Sequence, residues 1–126
     1  MDQLLSELRT HIRGDVRFDP ISRALYATDA SIYQIEPLGV VLPCDEQDVA
    51  ATLRLARKHG VAVLPRGGGT SLAGQTIGRA IQIDFTRHMN RLLEVNVAAG
   101  WAWVEPGLVL DELNALLAPH DVKFAP

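Results

Sequence analysis

The stretch VLPRGGGTSLAGQTIGRAIQIDF, Val63 to Phe85, holds the residues whose types and spacing are best suited to chemistry. Gly67, Gly68 and Gly69 follow a short apolar run, and Gly74 and Gly78 come soon after, so half of the chain's 10 glycines lie here. Consecutive glycines open backbone conformations closed to other residues. They also let main-chain N–H groups close around an anion as a nest. Thr70 and Ser71 add hydroxyl donors, and Arg66 adds a fixed positive charge. A tight turn needs only one or two glycines, so the pattern points to a phosphate or pyrophosphate cradle.

Two familiar cradles fit poorly. The dinucleotide fingerprint G-x-G-x-x-G started at Gly67 would place its last glycine at Leu72. The P-loop pattern G-x-x-x-x-G-K-[ST] is matched by GTSLAGQT, Gly69 to Thr76, except that Gln75 stands where the lysine belongs. A P-loop also continues into a helix, whereas the residues after Thr76 read as a strand. A non-redox nucleotide-binding module with a degenerate P-loop, and a structural piece that binds nothing, remain as alternatives at this point.

Other reactive side chains are scattered. His11, His59, His88 and His120 show no ligand spacing, and Cys44 is the sole cysteine, so no metal site and no intrachain disulfide are expected. His59 reads as a charge complement at a helix C-terminus. Tyr26 and Asp29 read as surface-loop residues, Asp84 as the cap of the TRHMN turn, and Cys44 as buried and inert. Trp101 and Trp103 alternate on one strand and are expected to pack in a core. No catalytic residue is assigned.

The elements that must position the loop follow from periodicity. Met1 to Ile12 is expected to be an amphipathic helix with Leu4, Leu5, Leu8 and Ile12 on one face. Asp15 to Leu38, with two prolines, reads as mostly loop with a helical turn. Gly39 to Leu42 reads as a buried strand stopped by Pro43. A helix follows, with Asp45 as N-cap, Val49, Leu53 and Ala56 inward, and Gly60 at C′. VAVLP from Val61 is the next strand, completing a βαβ unit with parallel strands. RAIQIDF is a further strand, LLEVNVAAGWAWVEPG is two strands joined near Ala98 to Gly100, and LVLDELNALLAPH is a helix with Val109, Leu113, Leu116 and Leu117 on one face. VKFAP reads as extended.

The chain has 126 residues, is 48% hydrophobic and 21% charged, and carries a net charge of −3. That balance suits one globular unit and disfavours nucleic acid as a partner, since no Lys/Arg run is present. Asp2, Glu7 and Arg9 interrupt any signal-peptide core, and no apolar run is long enough to cross a bilayer. A reducing compartment, the cytoplasm, is expected. The apolar end HDVKFAP is read as the end of a piece of a longer protein.

PRGGGTSLAGQ, Pro65 to Gln75, resembles the pyrophosphate-binding loop of flavoproteins related to vanillyl-alcohol oxidase and p-cresol methylhydroxylase (PCMH). The subgroup it is most similar to is the FAD-dependent oxidases and dehydrogenases of 2-hydroxy acids: glycolate, D-lactate and D-2-hydroxyglutarate. The similarity extends over Tyr26 to Gly74 and over WVEPGLVLDELNALLAPHDVKFAP. It implies an α+β, two-lobed FAD-binding domain of PCMH type, with residues 1–126 as its N-terminal portion: a βαβ-containing lobe and the start of a β-rich one. It implies that Pro65, Arg66, Gly67, Gly68, Gly69, Thr70 and Ser71 wrap the FAD pyrophosphate, with Gly74 and Gln75 beside it and Pro106 and Gly107 turning the chain near the cofactor. Relatives that hold flavin covalently through this loop use a histidine, and Thr70 stands in its place, which implies non-covalent FAD. Catalytic and substrate-binding residues, and any iron–sulfur cluster, would belong to parts beyond this chain. The implied full-length protein is a flavin oxidoreductase acting on a small 2-hydroxy acid, cytoplasmic or peripheral at the inner membrane. The residues name no electron acceptor.

Overall fold

Leu4 and Leu8 lie one helical turn apart and both are fully buried, which sets the inner face of the first helix, α1 (Asp2–His11). In this computed structural model, residues 1–125 are described; Pro126, the end of the expected extended piece, lies outside them. After α1 come β1 (Asp15–Arg17), α2 (Pro20–Leu25), β2 (Gly39–Leu42), α3 (Glu46–Lys58), β3 (Val63–Arg66), β4 (Ile81–Asp84), β5 (Leu92–Asn96), β6 (Trp101–Val104) and α4 (Leu110–Leu117). A 3₁₀ turn, Ala118–His120, closes α4.

β1 to β4 form one sheet in the order β1-β2-β4-β3. β2 and β3 are each parallel to β4, so they are parallel to one another, as the βαβ reading requires, with β4 inserted between them. β2 and β4 are buried along their whole length, because the sheet is covered on both faces. On one face Val41 and Ile81 pack against Leu4 and Leu8 of α1, Ile12 just past it, and Ala51, Leu55 and Ala56 of α3. Each of the valine, leucine and isoleucine side chains contributes about 1.5–3 kcal/mol of apolar burial. The other face carries Val40 and the fully buried Gln82, whose amide donates to the Tyr26 carbonyl.

Asp15 to Leu38 is more ordered than its composition indicates. β1 pairs antiparallel with β2, Asp15 opposite Leu42. α2 is started by Asp19, whose carboxylate accepts from the Ser22 amide at 2.9 Å, with Pro20 in the first turn. That is an ordinary N-cap followed by a proline preset for the first helical position. The strand was hidden because three residues carry no periodic signal.

α3 has the expected N-cap: Asp45 accepts from the amides of Gln47 and Asp48. Gly60 has a φ of +66° just past the helix, as C′ requires. The buried face is rotated from expectation. Asp48, Ala51, Thr52, Leu55 and Ala56 point inward, while Leu53 is 49% exposed. A polar residue decides this. The Asp48 carboxylate accepts from the amides of Arg13, Gly14 and Cys44 at 2.9–3.0 Å, tying the α1–β1 turn and the end of β2 to α3. An apolar template does not look for an inward aspartate. Cys44 itself is only half-buried, although it was expected inside. His59, at the helix end, lies 3.3 Å from Glu7 of α1.

β5 and β6 form a separate hairpin joined through Val97 to Gly100, with α4 beside it. Trp101 and Trp103 do not pack into a core as expected; Trp103 is 67% exposed. Of the expected α4 face only Leu117 is buried, and Val109 and Leu116 stay open. A two-stranded hairpin with one short helix has too few layers to enclose both faces.

Asp48 generates a prediction. Burial pushes its pKa up, but the amides of Arg13, Cys44 and Gly14 outweigh burial and hold the carboxyl below its usual value. A carboxylate of this kind stabilises fully above its unfolded value of about 3.9, and the contribution disappears as pH falls through the lower folded value. Asp48→Asn is expected to lower stability by about 2–3 kcal/mol at neutral pH. The gap to the parent should narrow below about pH 4. Urea unfolding at neutral and acid pH checks this, and a gap of constant size would contradict it.

Candidate functional site

β3 and β4 end level with one another, Arg66 opposite Asp84. The glycine loop leaves β3 there and the Phe85–Asn90 turn leaves β4, both at the carboxyl edge of parallel strands, where open α/β sheets bind ligands. The residues after Gly69 form bends and turns and then pass into β4. No helix follows Thr76, so GTSLAGQT lacks the element that makes a P-loop.

The amides of Gly67, Gly68, Gly69, Thr70 and Ser71 donate to no acceptor among the described residues. The next part of the loop is internally tied. Ser71 Oγ donates to Gln75 Oε1 at 2.7 Å and accepts from the amides of Ala73 and Gln75. The Ser71 hydroxyl, expected as a free donor, is therefore committed to Gln75.

The glycines divide by what a side chain would meet. At Gly67 a Cβ would have only the Pro106 carbonyl, at 3.9 Å, and at Gly68 only the Thr70 methyl, at 3.7 Å. The fold leaves both positions room for a side chain. Gly69 and Gly74 have φ of +69° and +75°, and a Cβ at Gly74 would sit 2.9 Å from the Tyr33 ring. At Gly107 a Cβ would collide with the Phe85 carbonyl, so backbone packing requires that glycine.

Pro106 and Gly107 do come to the loop. The Gly107 amide donates to the Met89 carbonyl at 2.8 Å. The nearly buried Glu105 accepts from Arg91 through its main-chain amide, Nε and Nη2. The Arg91 side chain holds that carboxyl below its ordinary pKa. The result is a cleft of about 410 Å³ whose lining includes Gly68, Thr70, Pro106, Gly107 and Asp111.

Tyr26 and Asp29 lie against the loop instead of forming a free surface segment. Tyr26 donates its hydroxyl to Asp84, and burial together with that carboxylate pushes its pKa up to about 12. Asp29 accepts from the Ser31 amide and the Thr76 hydroxyl, both at 2.9 Å, and the Ser31 side chain, with these bonds, holds its carboxyl down at about 2. The Ala30 amide donates to the Gly69 carbonyl at 3.1 Å. The Asp-x-Ser spacing of an Asx turn at Asp29 was the available signal. Asp84 caps its turn as expected, accepting from the Thr86 amide and hydroxyl. Among the described residues no cluster of metal-ligating side chains is present, and no helix is long and apolar enough to cross a membrane.

A family model described as FAD binding domain matches residues 37–126. The chain belongs to that family. It is 44% identical to a D-2-hydroxyglutarate dehydrogenase of Pseudomonas putida over 98% of its own length and 13% of the relative's. It is 31% identical to the glycolate oxidase subunit GlcD of Bacillus subtilis over 89% of its length and 25% of the relative's. The fold is that of a 4-ethylphenol oxidase from Gulosibacter chungangensis, with a TM-score of 0.83 at 24% identity over 95% of this chain and 24% of that one. The chain thus spans an eighth to a quarter of the length of these proteins. The mixed α+β architecture expected from the PCMH-type resemblance is the one observed, and the FAD binding domain family agrees with FAD as the expected cofactor.

The division among the glycines is testable without ligand. Gly74→Ala should destabilise the ligand-free protein by about 1–3 kcal/mol, from left-handed strain and the Tyr33 contact. Gly68→Ala should change stability by less than about 0.5 kcal/mol. Thermal unfolding of the two variants checks both; equal losses would mean that the fold itself needs Gly68.

Proposed function

We propose that the glycine loop binds the pyrophosphate of non-covalent FAD, and that the full-length protein carrying this chain oxidises a small 2-hydroxy acid of the D-2-hydroxyglutarate class. The observation that carries the cofactor site is the run of amides from Gly67 to Ser71 that find no acceptor among the described residues, beside two glycines whose Cβ positions are open. The fit to FAD is chemical. A pyrophosphate needs many donors and close approach, and a chain with net charge −3 supplies main-chain amides in place of a cluster of cations.

In this reading Pro65 and Arg66 bring the chain out of β3 into the loop. Gly67, Gly68, Gly69, Thr70 and Ser71 present their amides. Gly74 and Gln75 hold the far side of the loop, and Pro106 and Gly107 form the facing wall of the cleft. Thr70 offers no ring nitrogen, in keeping with non-covalent attachment. When bound, FAD supplies the acceptor for a hydride equivalent from the carbon bearing the hydroxyl; the chain's part is to bind and orient it. Residues 1–126 are then the N-terminal portion of the FAD-binding domain, and the full-length protein acts in the cytoplasm or peripherally at the inner membrane. The substrate class rests on the D-2-hydroxyglutarate dehydrogenase of Pseudomonas putida, 44% identical to this chain.

Gly68→Asp in the full-length protein tests the cradle. It puts a carboxylate where the anion must lie. Losing two amide-to-phosphate bonds costs roughly 3–6 kcal/mol, at about 1.5–3 each. FAD should bind about two to four decades more weakly. Fluorescence titration of the apoprotein measures this, and unaltered affinity would leave these glycines as a turn.

Acid precipitation of the flavin-loaded protein should release all colour to the supernatant. Yellow retained in the pellet would contradict non-covalent binding.

A further inference from the structure

We infer that Arg66 is a positioning residue that closes the glycine loop, not a phosphate ligand, and that Gly69, whose left-handed backbone already favours glycine, also leaves the Arg66 guanidinium its space. The inference rests on the cofactor site proposed above and divides its glycines into two kinds.

Arg66 is the cation the sequence places at the cradle, yet its side chain turns back under the loop. Nη2 donates to the Thr28 carbonyl at 3.0 Å, and Nη1 lies 3.4 Å from the Thr76 carbonyl and 3.5 Å from Gln82 Oε1. The guanidinium carbon stands 5.1 Å from the centroid of the Tyr26 ring, a stacking distance. Arg66 begins the loop and Thr76 ends it, so one planar fork joins the two ends and fastens both to the Thr28 segment. The Ala30-to-Gly69 bond repeats the attachment one step further along. Thr76 is held in turn through its hydroxyl by Asp29.

Gly69 completes the arrangement. Its φ of +69° already favours glycine, and a Cβ there would also collide with Arg66 Nη2 and lie 3.0 Å from the guanidinium carbon, whereas Gly67 and Gly68 meet nothing of the kind. The first two glycines therefore leave room above the loop and the third leaves room below it. Lysine cannot substitute, because a single ammonium lacks a rigid fork to span two carbonyls and stack on a ring.

The test uses the full-length protein and FAD itself. Apoprotein carrying Arg66→Gln or Arg66→Lys is titrated with FAD at low and high salt. A positioning role predicts that both variants bind about tenfold or more weakly, at least about 1.4 kcal/mol, with the parent's salt dependence retained. A phosphate ligand predicts the reverse. Arg66→Lys would then stay within about threefold of the parent, and Arg66→Gln would flatten the salt dependence through loss of a screened charge. Either result overturns the inference.

A second reading needs no FAD. Gly69→Ala and Arg66→Gln disturb the same contact, so in ligand-free protein their losses in melting temperature should not add; the double variant should fall no further than the worse single one. Full additivity overturns the inference. If Arg66→Gln does not fold, Arg66→Lys takes its place in this cycle with the same two outcomes. Failure of the parent to bind FAD would remove the proposed function and leave the thermal cycle to decide the Arg66–Gly69 contact.

Discussion

The site depends on the parallel register of β3 and β4. Val63 stands opposite Ile81 and Arg66 opposite Asp84, so the two strands end together and their loops leave side by side. Side chains alternate along a strand, so Gln82 and Asp84 share one face of β4 while Ile81 and Ile83 share the other. Ile81 belongs to the helix-covered core, and Gln82 bonds to Tyr26 on the opposite side. A one-residue slip would exchange the faces, driving Gln82 among the leucines of α1 and an isoleucine under Arg66. Burial of Ile81 and satisfaction of Gln82 thus select the same register.

That register sets a polar layer beside the start of the glycine loop. Gln82, Arg66, Tyr26, Asp84 and Thr86 are joined by hydrogen bonds, and among the described residues no buried side-chain polar atom lacks a partner. A fully satisfied network in a low-dielectric setting holds its members firmly, whereas one missing partner would make the same burial costly. The loop contrasts with this layer. Among the described residues its main-chain donors from Gly67 to Ser71 have no acceptor, so the donors an anion would use are not consumed within the fold.

The second lobe is attached by equally local means. Arg91 and Glu105 clamp the base of the hairpin, and Gly107 lies so close to the Phe85–Met89 turn that a side chain would strike main-chain carbonyls. These contacts bring Pro106 to the edge of the glycine loop from more than one strand away in sequence. The hairpin itself presents Trp101, Trp103 and Val97 outward, and its packing contributes little to placing the site.

The glycine-rich stretch stood out in the sequence because glycine content is a local property, written in consecutive residues at the end of an apolar run. The same holds for the caps at Asp45 and Gly60 and for both long helices, whose signals lie within one or two turns. The roles of individual residues were less legible. Arg66 read as a charge for a phosphate, and only the fold shows its fork spent on the carbonyls of Thr28 and Thr76. Tyr26 and Asp29 read as surface loop, because their partners Asp84 and Thr76 are distant in the chain. Asp48 turned α3 away from its apolar template for the same reason, since its donors lie on the α1–β1 turn and at the end of β2. Backbone conformation and helix faces are encoded over a few residues. Which hydrogen-bonding groups must be satisfied, and by whom, is decided only when distant segments are packed together and water is excluded between them.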